Sequence, residues 1–451
     1  MKRTSILLRI RNEGPYLVEW LAHYVTLGFD DIVIVHNEND DGSTRLLDLF
    51  EKNGICRIFE SPAYQKDGVE LTPGQRAVTT IKEQRVFAQS KWLFTVDADE
   101  LLVLKQHRKI TDFIEAHADS EQILFSWDLF VPDLKSSDFN GDFNMRRRFN
   151  SVIDDNSHIK SLSRIDKYPG KVSPHRIISK SKKTTLADGT VIDPVGLSLR
   201  NWKSDFDPET EAMLSAGRSA ASLYHYRFKS ALEFCMRQTR GVAGPHSLKN
   251  NGMFFVKTML SHPENIRTID QNSGLPSIAD YDESAQGLLS LPGVSEVHEQ
   301  INQNYLRQAA DIEASSLTYR FIRSYLDAPG NFSASETSLK LLEDQPQSSE
   351  LLWLAAFCHR HDEKFEQAYQ LSARAIEQSP GHETHHRFFV DNMKKAAEKE
   401  KSQALSKKAK SKASRGAPEE AKGPGSQESS TKPEKSRFAL TSAIKRLLRK
   451  S

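Results

Sequence analysis

The run Trp92-Leu93-Phe94-Thr95-Val96 leads without a break into Asp97-Ala98-Asp99-Glu100. Few chain arrangements accommodate five apolar or β-branched residues followed at once by three acids. A strand buried on both faces does so if it ends where its sheet meets solvent, delivering the carboxylates together to the sheet's C-terminal edge. Carboxylate oxygens are the preferred ligands of hard ions such as Mg²⁺ or Mn²⁺, and open α/β sheets bind ligands at that edge. The same acids would serve equally to end the strand and cap a helix starting near Ile110. The tetrad alone leaves both readings open.

The residues before it set the fold class. Short apolar runs at 6–10, 32–35, 56–59 and 92–96 alternate with helical patterns. Pro15 sits at a helix start, Leu17, Trp20, Leu21, Tyr24 and Val25 follow at helical spacing, and Gly28 provides a stop. Ser43-Thr44 opens a second helix and residues 75–89 a third. Repeated strand–helix units predict an α/β domain with a mostly parallel sheet flanked by helices. The pattern weakens over 123–192, where 123–127 and 176–179 are strand candidates among polar loops, and helices resume near Ser230 and over 297–327. Between 347 and 395, Trp353, small residues, Ala373, Ala375 and a closing Pro380 resemble one tetratricopeptide unit, with a plain helical hairpin as the alternative.

The expected organisation is a catalytic domain over 1–260, a helical extension over 261–330, a tetratricopeptide-like region over 331–395, a disordered basic linker over 396–435 and a basic amphipathic helix over 436–451. From residue 394 onward there are 17 Lys and Arg against 6 Asp and Glu, so the tail is strongly positive although the whole chain carries only +2. Such a tail predicts contact with an anionic membrane surface, or docking on a protein, and the mildly acidic remainder gives no nucleic-acid groove. Hydrophobic residues make up 38%, and no run approaches the roughly 18 apolar residues of a membrane span. Arg9 and Arg11 interrupt the first apolar run, which reads as a strand rather than a leader. Cys56, Cys235 and Cys358 have no metal or redox spacing. The expected location is cytoplasmic, at most peripheral at the inner membrane face.

Four segments carry the chemistry. The first strand runs into Arg11-Asn12-Glu13, the second into His36-Asn37 and the Asp41-Gly42-Ser43 turn, and the fourth into the tetrad. The last is Tyr224-His225-Tyr226-Arg227-Phe228-Lys229-Ser230, where His225 could complete a carboxylate metal site and Arg227 or Lys229 neutralise a diphosphate. Together with the Tyr16, Glu19-Trp20, His23-Tyr24 helix and Glu233-Phe234, this ordered set, over roughly residues 4 to 245, resembles glycosyltransferase family 2-like proteins, in the subgroup also similar to glycosyltransferase family 92.

That resemblance implies a GT-A fold, a nucleotide-sugar donor and a DxD-type grip on its diphosphate through Mn²⁺ or Mg²⁺. Asp97, Asp99 and His225 are the implied metal ligands, and Arg11, Asn12, Glu13, Asn37, Asp41, Asp97, Arg227 and Lys229 the implied donor contacts. An inverting transfer also needs a carboxylate base, for which Asp128 and Asp188 are candidates. His175 is a candidate for the acceptor side, and Arg146-Arg147-Arg148 reads as a phosphate site or as solvated surface. The expected reaction moves a hexose to a glycan, lipid-linked or protein acceptor in surface polysaccharide synthesis. The rivals are a non-catalytic adaptor and a metal-dependent phosphotransferase. A phosphotransferase would want a Ser or Thr soon after its nucleophilic Asp, which the stretch from Asp97 to Val103 lacks, and there is no GxxxxGK[ST] loop.

Overall fold

A computed structural model describes residues 3–61, 65–66, 69–70, 73–132, 139, 141–166, 183–192, 208–239, 252–261, 266–378, 389–400 and 402. The strands are β1 (Arg3–Ile10), β2 (Asp31–His36), β3 (Arg57–Glu60), β4 (Gln65–Lys66), β5 (Val69–Glu70), β6 (Ser90–Val96), β7 (Glu100–Leu104), β8 (Gln122–Val131), β9 (Ser151–Arg164), β10 (Thr184–Leu186), β11 (Val191–Ile192), β12 (Ala221–His225) and β13 (Ile266–Thr268). Between them lie α1 (Gly14–Leu27), α2 (Ser43–Lys52), α3 (Pro73–Glu83), α4 (Ile110–Ala116), α5 (Met145–Arg148), α6 (Pro208–Ala220), α7 (Ala231–Thr239) and α8 (Gly252–Ser261). Helices α9 (Ile278–Leu289), α10 (Val294–Ser315), α11 (Leu317–Asp327), α12 (Ala334–Asp344), α13 (Ser349–His361) and α14 (Phe365–Gln378) follow, and residues 389–400 are helical.

The main sheet runs β11-β10-β8-β9-β6-β1-β2-β3, with β12 joined to β7 and β8 and β13 to β9. Strands β3, β2, β1 and β6 are parallel, as the strand–helix alternation dictates, but β9 runs antiparallel between β6 and β8, so the sheet is mixed. Period-2 alternation sorts the parallel strands between two layers. Ile6, Leu8, Ile32, Ile34, Phe94 and Val96 join the core beneath α1, while Leu7, Val33, Val35 and Leu93 join Ala77 and Ile81 of α3 on the other face. Helix α1 is buried nearly all round, including Glu19 and His23, because its far side is covered by α9 and α10. Gly28 ends it in the left-handed conformation (φ 80°), as the sequence foretold.

The tetrad does not lead into a helix cap. Glu100 N–H donates to the Asp97 carbonyl (3.1 Å), the chain reverses, and Glu100 begins β7, while α4 starts behind Lys109. Residues 75–89 hold a shorter helix than expected, since α3 ends at Glu83. A second core joins α7 and α8 to α10 through α14, with Phe234, Phe255, Tyr305, Phe321, Leu351 and Ala355 at its centre. The chain divides into a compact unit over residues 1–397 and a second unit over 398–451. No helix among the described residues is long and apolar enough to cross a membrane. The strand expected at 176–179, His175, the terminal helix and most of the basic linker lie outside the described residues.

Candidate active site

The parallel register brings the sequence-predicted loops to one edge. Ile10 is level with His36, and Leu8 with Val96, so Arg11, Asn12, Asn37 and Asp97 follow strand ends lying side by side. The loops after β1 and β2 are stitched together. The Asn12 side chain donates to Asp40 Oδ1 (2.6 Å) and accepts from Asp40 N–H (2.9 Å), while Asn39 Oδ1 accepts from Asn12 N–H (2.9 Å). Asp41 accepts from Gly14 N–H (2.9 Å), from Ser43 N–H (2.9 Å) and from the Ser43 hydroxyl. A Cβ at Gly14 would stand 2.9 Å from Ile301 and 3.0 Å from this carboxylate, which explains the glycine. Asn12 and Asp41 therefore shape the edge. Asn37 is buried there, its side-chain N–H₂ without a partner among the described residues, and Arg11 lies 4.0 Å from Glu38, which also pairs with Arg76 (3.0 Å). Glu13 is the residue before α1, its carbonyl accepting from Tyr16 N–H (3.0 Å).

Strand β12 delivers the distant histidine. It pairs antiparallel with β7, placing His225 opposite Glu100, and Tyr226 N–H donates to the Asp99 carbonyl (2.8 Å). His225 Nε2 then faces Asp99 Oδ1 at 3.6 Å, both side chains buried. The other Asp99 oxygen accepts from Arg237 Nη1 of α7 (2.9 Å). Burial opposes charge on Asp99, but Arg237 and His225 override it and hold the carboxyl well below its ordinary range. Burial lowers the His225 pKa against the pull of Asp99, and its Nδ1 has no partner among the described residues.

Asp97 is differently placed. Its side chain is 44% exposed and one oxygen accepts from Lys160 Nζ (2.9 Å), a fully buried lysine of β9 that also lies 3.0 Å from Glu100 Oε2. Desolvation works against ionisation of Asp97, yet Lys160 lowers its pKa overall. Glu100, without exposure, is pushed up to about 8 by burial. The two carboxylates of the DxD pattern are thus each met by a cation, Asp97 by one inside the sheet and Asp99 by one on a helix.

Two candidates for the base are not brought to this edge. Asp128 lies within β8 rather than after it. Its neighbour Trp127 contacts the rings of His225 (4.2 Å between centroids) and His158 (4.6 Å), so alternation sends Asp128 to the opposite face. There it accepts from Arg267 (2.8 Å) and lies 3.5 Å from Arg218. Asp188 is exposed in the β10–β11 turn, accepting from Thr190 N–H (3.1 Å) and Oγ1 (2.8 Å). Arg227 reaches α7 through its carbonyl, which accepts from Arg237 (3.3 Å). Buried Lys229 sets its Nζ 3.2 Å from the centre of the Tyr16 ring.

Of the arginine triplet only Arg147 is solvent-exposed, and all three side chains are engaged by protein groups. Arg146 is fully buried and donates to the Pro276 (2.6 Å) and Gln271 (2.7 Å) carbonyls, Arg147 pairs with Asp282, and Arg148 forms a buried pair with Glu233 (2.5 Å). Lys160 and Arg237 escaped the sequence reading, and Glu233 entered it only within the motif that carries the resemblance. A lone lysine in a polar stretch carries no spacing signal, whereas Glu233 was visible three residues after Ser230 as a capping pattern, with Ser230 Oγ accepting from Glu233 N–H (3.2 Å).

The model of glycosyltransferase family 92 matches residues 12–189. Over that stretch the chain is similar to glycosyltransferase family 92. The match spans the loops after β1 and β2 and the acidic turn, and stops short of His225 and Arg237. Comparison with curated proteins returns no match. Among solved structures, S. aureus TarS 1–349 in complex with UDP is 14% identical, with 87% of this chain and 91% of that one covered and a TM-score of 0.22. An apo UDP-glucose pyrophosphorylase is 10% identical over 63% of this chain and 97% of that one, with a TM-score of 0.21. At these scores neither neighbour bears on what this chain binds.

Proposed function

We propose that this glycosyltransferase draws on a nucleotide-sugar donor, holds the donor's diphosphate at the edge formed by Asp97, Asp99 and His225 with the help of Mn²⁺ or Mg²⁺, and passes the sugar to a hydroxyl of a glycan, lipid-linked or protein acceptor. The observation that carries the reading is the Asp99–His225 pair, assembled from positions 126 residues apart at the mouth of the parallel strands. Oxygen and nitrogen ligands lie about 2.0–2.2 Å from such ions, so two atoms 3.6 Å apart can share one. Among the described residues no three His, Cys, Asp or Glu side chains form a ready cage; Asp97, beside Lys160, would supply the third ligand.

Bound there, the cation would offset the charge that grows on the departing diphosphate. The chain's own part is to aim two carboxylates and an imidazole, and to present basic groups where that charge develops. Asn12 and Asp41 keep the two nucleotide-side loops in register, and Asn37 offers its buried amide to the base. The cytoplasmic face of a membrane, reached through the basic tail, is the proposed site of action, in surface or extracellular polysaccharide synthesis.

The test is calorimetric titration with UDP, GDP and CDP, with and without Mn²⁺, followed by a donor screen reading released diphosphate. Metal-dependent binding of one of them that disappears in Asp99→Asn supports the reading; metal-blind binding, unchanged in that variant, favours the adaptor.

A further inference from the structure

The two cations at the acidic turn differ in their freedom. Lys160 is fully buried in the middle of the sheet and shared between Asp97 and Glu100, so it cannot leave one without stranding the other. Arg237 stands on α7 with 39% of its side chain exposed, bonded to Asp99 Oδ2 and to the Arg227 carbonyl. The base of α7 is firmly held: one turn earlier Glu233 is locked by Arg148, Tyr16 and Ser230. A long side chain on a fixed helix can change partner by rotation about its own bonds, without movement of the backbone.

We propose that Arg237 is a resident counter-cation for Asp99 that gives up the carboxylate when a divalent ion arrives with the donor, and then takes the donor's diphosphate. The inference rests on the reading of Asp99 as an ion ligand. A guanidinium and a divalent ion compete for the same carboxylate, and crowding both onto it in a partly buried site is repulsive. A planar fork of N–H donors also suits phosphate oxygens at least as well as a carboxylate. An ion binding alone must displace Arg237 and leave it without its anion. An ion binding with a diphosphate hands Arg237 a new one. Ion and nucleotide should therefore each strengthen the other's binding, and by linkage the two effects are equal.

The experiment uses the full chain and four forms: wild type, Arg237→Gln, Arg237→Lys and Asp99→Asn. The Mn²⁺ affinity without nucleotide is read from the electron paramagnetic resonance of the free ion, and the affinity for UDP, GDP or CDP is read by calorimetry with and without Mn²⁺. Arg237→Gln should bind Mn²⁺ alone more tightly, by about threefold or more, since the competitor is gone. The same variant should bind the nucleotide in the presence of Mn²⁺ about tenfold more weakly, so that the mutual enhancement shrinks, and Arg237→Lys should recover part of it. If Arg237→Gln weakens Mn²⁺ alone or leaves it unchanged while Asp99→Asn abolishes it, Arg237 is a structural partner only and the proposal fails with the ion reading intact. If no form binds Mn²⁺ with or without nucleotide, both fall together.

Discussion

Glu233 accepts five hydrogen bonds in the core: from Tyr16 OH (2.6 Å), Arg148 Nη1 (2.9 Å) and Nη2 (2.5 Å), and Ser230 Oγ (2.6 Å) and N–H (3.0 Å). Burial resists its charge, but these donors prevail and bring its pKa from 4.5 down to about 2. At about 1.36 kcal/mol per pH interval, the ionised form contributes about 3 kcal/mol to folding. Glu233→Gln keeps the shape and replaces one acceptor oxygen with a donor. Whichever oxygen is lost, at least two of the five bonds become donor against donor, and the buried Arg148 is left without its anion. Loss of one partner of such a pair costs about 3–5 kcal/mol. Urea unfolding followed by circular dichroism at pH 7 should show a fall of that size, and adding Arg148→Met should recover part of it, because the orphaned charge is then gone. Since the folded pKa is depressed, the advantage of the wild type is complete above about 4.5 and fades as the pH falls toward about 2. A cost below about 1 kcal/mol, or a double variant no better than the sum of the two singles, would refute the assignment of this pair as the anchor of α7.

Two further changes separate neighbouring roles. Glu19 of α1 is buried, and desolvation raises its pKa from 4.5 to about 7. The folded state thus holds its proton longer than the unfolded state, stability is greatest below about 4.5 and declines as the pH rises through about 7, and Glu19→Gln should flatten that decline by about 3 kcal/mol in unfolding curves taken from pH 4.5 to 8. Asp128→Asn should lower the unfolding midpoint, since Arg267 and Arg218 lose their buried anion. It should leave transfer per folded molecule within about threefold, a loss of less than 1 kcal/mol; a hundredfold loss at unchanged KM would return Asp128 to the chemistry.

What was legible in the sequence follows from local pattern. β1, β2, β6 and α1 could be read because each carries its own burial signal, an apolar run or helical spacing with a proline start and a glycine stop. β9 could not. Its Lys160 looks like surface, yet lies at the sheet's centre because two carboxylates from the neighbouring turn accompany it there. Arg146 misled in the same way: a charge run reads as solvated until backbone carbonyls are found to satisfy it in the core. Asp128 and Trp127 are adjacent in sequence, and only the pairing of β8 with β12 tells which of them faces the histidine.

The sequence by itself determined the α/β layers and the acidic turn at a strand's end, because burial periodicity and turn chemistry act over a few residues. Only the tertiary structure decided which distant cation meets which acid. That choice depends on strand order and register, and both are set by the packing of the whole sheet.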